Sequence, residues 1–420
     1  MITFRFHAGS AEPATRRRGL RILIGTDTYH PDVNGAAYFT YRLATGLTLR
    51  GHEVHVVCPS TDGPPSSGIE EGVTVHRLRS VGTPVHPTFR ICPPPLAGRG
   101  ARAALHTVAP DIVHVQGHFP IGRALLRATR GVQLPLVATN HFMPDNLIAY
   151  AHIPPAARRW ACGIAWRDFT RTFNNADQIT TPTPIAAELI RGRGLHPPVR
   201  AISCGIDLDR FQSHNPAGRT AGLFGLPDQP TLLFVGRLDK EKHAHELVTA
   251  LPAIRLHVDA QLVLVGTGTQ RAGLAAMAGW LGVAEHVHFL GFVPDEQLPD
   301  VYAAADVCAS PGVAELQSLV TLEAMASGLP IIAAAAMALP HLVHPGVNGH
   351  LYNSGDIGAL TSHAVALLTA PDVRRRMGRA SRDIARRHDV TATLAQFEEL
   401  YVGMGAISPE TPVTAAAGSR

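Results

Sequence analysis

The sequence predicts an α/β fold built on two doubly wound parallel sheets. Three observations carry this. The chain has 420 residues, more than one ordinary core holds, so two domains of roughly 200 residues are expected. Short apolar runs alternate with longer segments of helical period, the pattern of strand–helix–strand units. The alternation pauses at "GLHPPVRAISCGIDLDRFQ", residues 194 to 212, and then restarts.

Each element follows in order. "RILIGTD" reads as the first strand. Its arginine-rich lead has a twin-arginine look, but the apolar stretch is short and runs into Asp27, so an export signal is not expected. "AAYFTYRLATGLTLRG" reads as a helix stopped at Gly51. The strands "EVHVVCP", "VTVHRL", "DIVHVQG" and "LPLVATN" follow. After the pause come "TLLFVGR", "AQLVLVGTG", "HVHFLGFV", "DVCASP" and "LPIIAA", again with helices between. The expected division is a disordered tail over 1–18, a first domain over 19–195, a second over 196–385, a C-terminal helix over 386–405 crossing back to the first domain, and a disordered tail over 406–420. Ligands of open parallel sheets bind beyond the carboxyl ends of the strands. Two such domains facing each other are expected to form a central cleft.

Composition narrows the partners. Charged residues make up 17%, apolar residues 45%, and the net charge is +4, a balance fit for a globular domain. The arginines are scattered, which argues against nucleic acid. The five cysteines, Cys58, Cys92, Cys162, Cys204 and Cys308, are odd in number and lack metal-ligand spacing. Free thiols in a reducing, cytoplasmic compartment are expected. No apolar run reaches the ~20 residues of a membrane span.

Of 37 basic residues only Lys240 and Lys242 are lysine, both in "LLFVGRLDKEK". Arg237 lies just past a strand end and Lys242 five residues on. An arginine fork with a lysine point charge suits a diphosphate. The plainer alternative is two solvated cations beside Asp239 and Glu241. In "SPGVAELQSLVTLEAMASGLP", Ser318 is the expected N-cap of a helix over 319–327, with Gly328 its stop and Pro330 the break. Free amides at that helix start make an anion site. Glu315 precedes the helix, and Glu323, within an apolar helix, needs a buried partner.

Together these stretches resemble retaining GT-B glycosyltransferases of family four, over about residues 20 to 400. The matching pieces are "TDTYHPDVNGAAYFT" after the first strand, Arg237 with Lys242, Glu315 and Glu323 with seven residues between them, "LEAMASG", and "CGIDLDRF". The resemblance implies a GT-B fold of two Rossmann-like domains and hexose transfer from a UDP- or GDP-linked sugar. In that role Arg237 and Lys242 neutralise the diphosphate, with amides near Ser318, Leu319 and Val320. Glu323 holds the ribose, Glu315 contacts the sugar, Gly35 admits the donor, and Leu290 to Val293 lie near the base. The family's Gly-Phe-Gly is replaced by Leu316-Gln317-Ser318. At the family histidine, "DIVHVQGHFPIG" offers Gln116 or His118. His118 is the expected catalytic histidine, and His114 is expected to be structural.

Asn140, His141 and Asp145 of "VATNHFMPDNL" are acceptor-side candidates. A lipid or a small metabolite is expected as acceptor. Residues 154–173 combine Arg158, Arg159, Arg167 and Arg171 with Trp160 and Trp166, which would suit peripheral contact with the inner membrane face; an ordinary packed helix is the alternative. No cofactor and no metal are expected beyond the donor sugar. Asp207 and Asp209 lie outside any nucleotide site, and no carboxylate completes the His243/His245 or His286/His288 pairs. "GTGTQR" lacks the third glycine of a dinucleotide fingerprint. A nucleotide-sugar 2-epimerase of the same fold, or a non-catalytic nucleotide-binding partner, are the competing readings; Glu315 and Glu323 before "ASG" favour the transferase.

Overall fold

A computed structural model describes residues 19–83, 90–145, 154–211 and 223–406. The tails expected at 1–18 and 406–420 lie outside these residues, with one correction. Ala406 is buried and donates its amide to the Tyr401 carbonyl at 3.2 Å, so the folded chain includes it.

The chain divides into two compact units, one running to Ile202 and taking up the chain again from Leu394, the other Ser203–Thr393. The first unit extends beyond the expected limit at 195 because Val199–Ala201 pairs in its sheet.

The first unit contains β1 (Arg21–Gly25), α1 (Gly35–Leu49), β2 (Glu53–Pro59), β3 (Ser66–Glu70), β4 (Val73–Leu78), β5 (Val81–Gly82) and β6 (Arg90–Ile91). It continues with α2 (Pro94–Val108), β7 (Ile112–Val115), α3 (Pro120–Ala128), β8 (Leu136–Thr139), α4 (Pro155–Phe173), β9 (Gln178–Thr181), α5 (Pro184–Arg191) and β10 (Val199–Ala201). Its main sheet runs β10-β9-β8-β7-β1-β2-β4-β3. Every pair is parallel except β3 with β4. That antiparallel edge was not anticipated: "SSGIE" is exposed and carries no apolar alternation. Glu71 and Gly72 close the hairpin with φ of 48° and 80°, the two-residue geometry whose twist matches paired strands. Strand β9 was also missed. Its buried Thr180 hydroxyl lies 2.5 Å from that of Thr139, which makes a polar run fit a core.

The second unit contains β11 (Thr231–Val235), α6 (Ala244–Arg255), β12 (Gln261–Val265), α7 (Arg271–Trp280), β13 (Val287–Gly291), α8 (Leu298–Ala303) and β14 (Val307–Ser310). Then come α9 (Leu319–Ala326), β15 (Ile331–Ala334), α10 (Leu339–Leu342), β16 (Gly349–Tyr352), α11 (Ile357–Leu368) and α12 (Pro371–Ala385). The sheet order β13-β12-β11-β14-β15-β16 is all parallel and doubly wound. Its order reverses between β11 and β14, where such sheets hold ligands. Strands β11, β12, β14 and β15 are buried along their whole length, so they read as continuous apolar runs.

Helix α13 (Val390–Gly403) carries the chain from the second unit into the first. Phe397 packs at 5.8 Å from Phe39 and 5.3 Å from His114, between ring centroids. A Cβ on Gly46 of α1 would lie 2.6 Å from Leu394, so this contact rests on a glycine.

Candidate donor and acceptor sites

The second unit gathers the donor candidates at the β11/β14 reversal. The loops after β11 and β12 are zipped together: Leu238 N donates to Thr267 O at 2.8 Å and Gln270 N to Leu238 O at 2.8 Å. Glycine makes this possible. A Cβ on Gly266 would lie 2.0 Å from Gly236 O, and one on Gly268 would lie 2.4 Å from the Leu238 backbone. "GTGTQR" therefore uses its glycines for backbone approach between loops.

Arg237 emerges from this platform. It donates to Asp239 Oδ2 at 2.5 Å and to Glu241 Oε1 at 2.8 Å. Asp239 is buried and also accepts from Thr269 N and Oγ1, at 3.1 and 3.0 Å. The residue taken as a mere neighbour is thus the brace that fixes the arginine. Lys242 Nζ donates to Glu315 Oε1, with side-chain exposures of 22% and 18%. A Cβ on Gly312 would lie 3.2 Å from that oxygen, so the glycine leaves room for the pair. Lys240, by contrast, is exposed.

Helix α9 begins as expected. Ser318 caps it, its Oγ accepting from Thr321 N at 3.4 Å and from Thr321 Oγ1 at 2.8 Å. Leu322 N is satisfied by Ser318 O at 3.1 Å. Among the described residues the Leu319 and Val320 amides have no hydrogen-bond acceptor, and the helix dipole adds partial positive charge there. Glu323 is buried and accepts from Tyr302 Oη at 2.9 Å. Burial, then the Glu323 charge, holds the Tyr302 hydroxyl well above its ordinary range, so it remains a donor. Tyr302 escaped the sequence reading because nothing local marks a partner 21 residues away. Gln317, the family departure, turns into its own unit: Oε1 accepts from Cys204 N at 2.7 Å and Nε2 donates to Ser203 Oγ at 2.9 Å.

Val293, expected near the base, presents no free side chain. Its side chain is buried in the core of the unit, whereas neighbouring Phe292 is 58% exposed. Any contact with a base at Val293 would have to use its backbone. The His243/His245 pair needs a correction, because Glu246 does complete the cluster. Glu246 is already saturated: it accepts from His243 Nδ1 (2.9 Å), Ser354 Oγ (2.7 Å), Gly355 N (3.0 Å) and Tyr352 Oη (2.7 Å). As built, it is a hydrogen-bond knot joining α6 to β16.

The first unit places its candidates at the β1/β7 reversal. Asn34 caps α1 by accepting from Ala37 N at 3.0 Å, and a Cβ on Gly35 would meet nothing within 4 Å. The chain's own packing therefore does not demand glycine there. His118, the expected catalytic ring, is packed among aromatic side chains. It is buried, stacked 4.8 Å from Phe119 and edge-on 5.3 Å from Phe169, and burial pushes its pKa down to about 4. His118 packs as a core aromatic. His114 bridges Tyr401 Oη (2.7 Å) and Thr139 Oγ1 (2.6 Å) in the core.

Gln116, set aside on the sequence, is more informative. Its Oε1 meets His141 Nε2 at 2.8 Å, and burial pushes His141 down to about 3, so the neutral ring donates. Gln116 Nε2 and Asn140 Nδ2 are both buried without a partner among the described residues. Two orphaned donors at adjacent strand ends are costly unless something accepts from them. Asp145 accepts from Trp166 Nε1 at 3.0 Å, so α4 already claims it. Asp27, also missed, accepts from Ile121 N and Gly122 N at the start of α3, at 2.9 and 3.2 Å. Burial nonetheless raises it to about 6.

Two nucleotide-fold units with a cation pair, a capped helix start and a braced glutamate define a GT-B glycosyltransferase. The comparisons with known proteins agree. Residues 33–210 match Glycosyltransferase Family 4 and residues 224–384 match Glycosyl transferases group 1. A GDP-mannose-dependent alpha-mannosyltransferase of Mycobacterium tuberculosis is 31% identical over 83% of this chain and 88% of its own. An alpha-monoglucosyldiacylglycerol synthase of Streptococcus pneumoniae is 28% identical over 84% and 80%. The solved sucrose-phosphate synthase of Thermosynechococcus elongatus superposes with a TM-score of 0.77 at 23% identity, over 92% of this chain and 99% of that one. The chain belongs to glycosyltransferase family 4. It is a hexosyl-transferring enzyme, and the reading as a non-catalytic nucleotide binder falls away. Among the described residues no helix is long and apolar enough to cross a membrane.

Proposed function

We propose that the enzyme transfers mannose from GDP-mannose to a hydroxyl of a lipid acceptor, retaining the anomeric configuration and using no metal. The observation that carries this is the Lys242–Glu315 pair beside Arg237 and the open amides of Leu319 and Val320, all within one unit. Two cations and two amides offer a diphosphate what it needs. Mannose and guanosine are favoured by the name of the relative at 31% identity, and a lipid by the diacylglycerol in the name of the other.

In this reading the bond between the anomeric carbon and the diphosphate oxygen breaks while the acceptor oxygen bonds to the same face. The acceptor proton passes to the departing phosphate oxygen. Arg237 and Lys242 stabilise the charge that develops there, a preorganised electrostatic role. Glu323, held by Tyr302, accepts from the ribose hydroxyls, and Glu315 turns to the sugar once Lys242 engages phosphate. On the first unit the Gln116 and Asn140 amides donate to acceptor oxygens.

The test is a thermal-shift panel of GDP, UDP and ADP, with their sugars, on the wild type and on Lys242→Ala. Stabilisation by GDP above the others, lost in the variant, is expected. Stabilisation by UDP alone would replace the donor, and no shift with any nucleotide at millimolar concentration would sink the reading. The product's anomeric coupling by NMR then decides retention, and a donor-only incubation separates transfer from 2-epimerisation.

A further inference from the structure

Helix α4 and the segment after α5 enclose an open hollow of about 340 Å³ on the first unit, lined by Trp166, Arg167, Thr170, Arg171, Asn174 and Arg193. Its wall is built rather than incidental. The Arg193 guanidinium lies over the Trp166 indole at 4.1 Å. Thr170 Oγ1 donates to Arg193 O at 2.9 Å and Asn174 Nδ2 to Gly194 O at 3.1 Å.

The nearby acids make their close bonds elsewhere, although Arg171 adds a weaker electrostatic pull on Asp168. Asp168 takes Arg123 through both carboxylate oxygens, at 2.7 and 2.5 Å, and Asp145 takes the Trp166 indole N–H. Among the described residues no carboxylate forms an ion pair with Arg167, Arg171 or Arg193. The three guanidinium forks around one hollow fit phosphate oxygens.

A second observation lies on the same helix. Trp160 is 71% exposed and Ile164 43% exposed. With exposed Arg167 and Arg171 they follow intervals of four, three and four, so all share one face. Trp160 and Ile164 thus place exposed apolar surface on the same helix face as two arginines of the hollow. Apolar anchors next to arginines are what an anionic bilayer surface recruits.

We propose that this face docks on an anionic membrane. Lipid headgroup phosphates enter the hollow among Arg167, Arg171 and Arg193, and Trp160 and Ile164 insert into the interfacial layer. The site is distinct from the Gln116/Asn140 acceptor side, and it stands whatever the donor proves to be.

The experiment is vesicle sedimentation of the full chain without donor or acceptor. Vesicles are phosphatidylcholine alone, or phosphatidylcholine with phosphatidylglycerol. Binding to the anionic vesicles only is expected, weakening as salt rises from 0.1 M, where screening reaches about 10 Å. Arg167→Glu with Arg171→Glu should weaken it by more than about tenfold, since each basic residue near the surface contributes roughly fivefold. Trp160→Ala should weaken it too. Arg99→Glu with Arg102→Glu, an equal charge change on exposed positions of α2, should leave most of it intact. Equal losses from both double variants, or equal binding to neutral vesicles, would overturn the proposal. So would a wild type that is stabilised by inorganic phosphate through these arginines yet ignores vesicles, which would make the site one for a soluble phosphate. If the charge-reversed chain fails to fold, the salt dependence of the wild type and the Trp160→Ala result decide alone.

Discussion

Replacing Lys242 by alanine removes the cation that donates to Glu315. The magnitude follows from its setting. A charge about 4 Å from a phosphate oxygen is worth about 4 kcal/mol at the effective dielectric of a protein surface. Lys242 is 22% exposed and must leave Glu315 to reach the phosphate, which returns part of that gain. A net loss of about 3 kcal/mol in transition-state stabilisation corresponds to roughly 10²-fold in rate. Folding should barely change, because a pair at this exposure contributes about 0–1 kcal/mol. The assay is kcat/KM by initial rates with the donor picked by thermal shift, alongside the melting temperature. Lys242→Arg restores charge in another shape and should recover part of the rate. A loss under about threefold in the alanine variant, with melting unchanged, would refute the diphosphate role.

Tyr302→Phe removes the 2.9 Å donor to Glu323, and should cost about 1–3 kcal/mol of stability; it should also raise the donor KM, and an unaltered KM would detach Glu323 from the ribose. Gly268→Ala forces a Cβ to within 2.4 Å of the Leu238 backbone. Since backbone must then shift, about 1–3 kcal/mol of destabilisation is expected, together with weaker nucleotide binding because the same loop carries Arg237. Glu398 on α13 accepts from His52 (2.9 Å) and from Arg50 Nε and Nη2 (2.8 and 2.6 Å). Burial alone would raise its pKa, but these bonds outweigh burial and hold it at about 2, against 4.5 unfolded. A depressed carboxylate stabilises fully above 4.5 and loses that stability as pH falls towards 2. Denaturation midpoints of wild type and Glu398→Gln should therefore converge across that window, and a constant gap would refute the assignment.

What the sequence could disclose depended on whether its signal was local. Strand β11, helix α9 and its Ser318 cap are written in contiguous residues, by apolar runs and by a capping serine before a helical pattern. The antiparallel β3, with five largely exposed residues, has no pattern to read, because nothing selects its side chains except one neighbouring strand. The site divides in the same way. Arg237 and Lys242 are visible because a strand end precedes them. Asp239 is hidden in plain sight: burial turns an ordinary loop acid into the brace of Arg237. His118 and Gln116 show the limit most sharply. Spacing alone favoured the histidine two residues further past β7. Packing sets the two apart: His118 is enclosed by Phe119 and Phe169, while Gln116 keeps a buried amide with no partner among the described residues. An orphaned donor is a property of the assembled environment, and it points to the acceptor side more firmly than residue type did. If Gln116 serves there, Gln116→Ala should lower acceptor kcat/KM and leave donor binding by thermal shift untouched, whereas a purely structural amide would lower melting and spare that ratio.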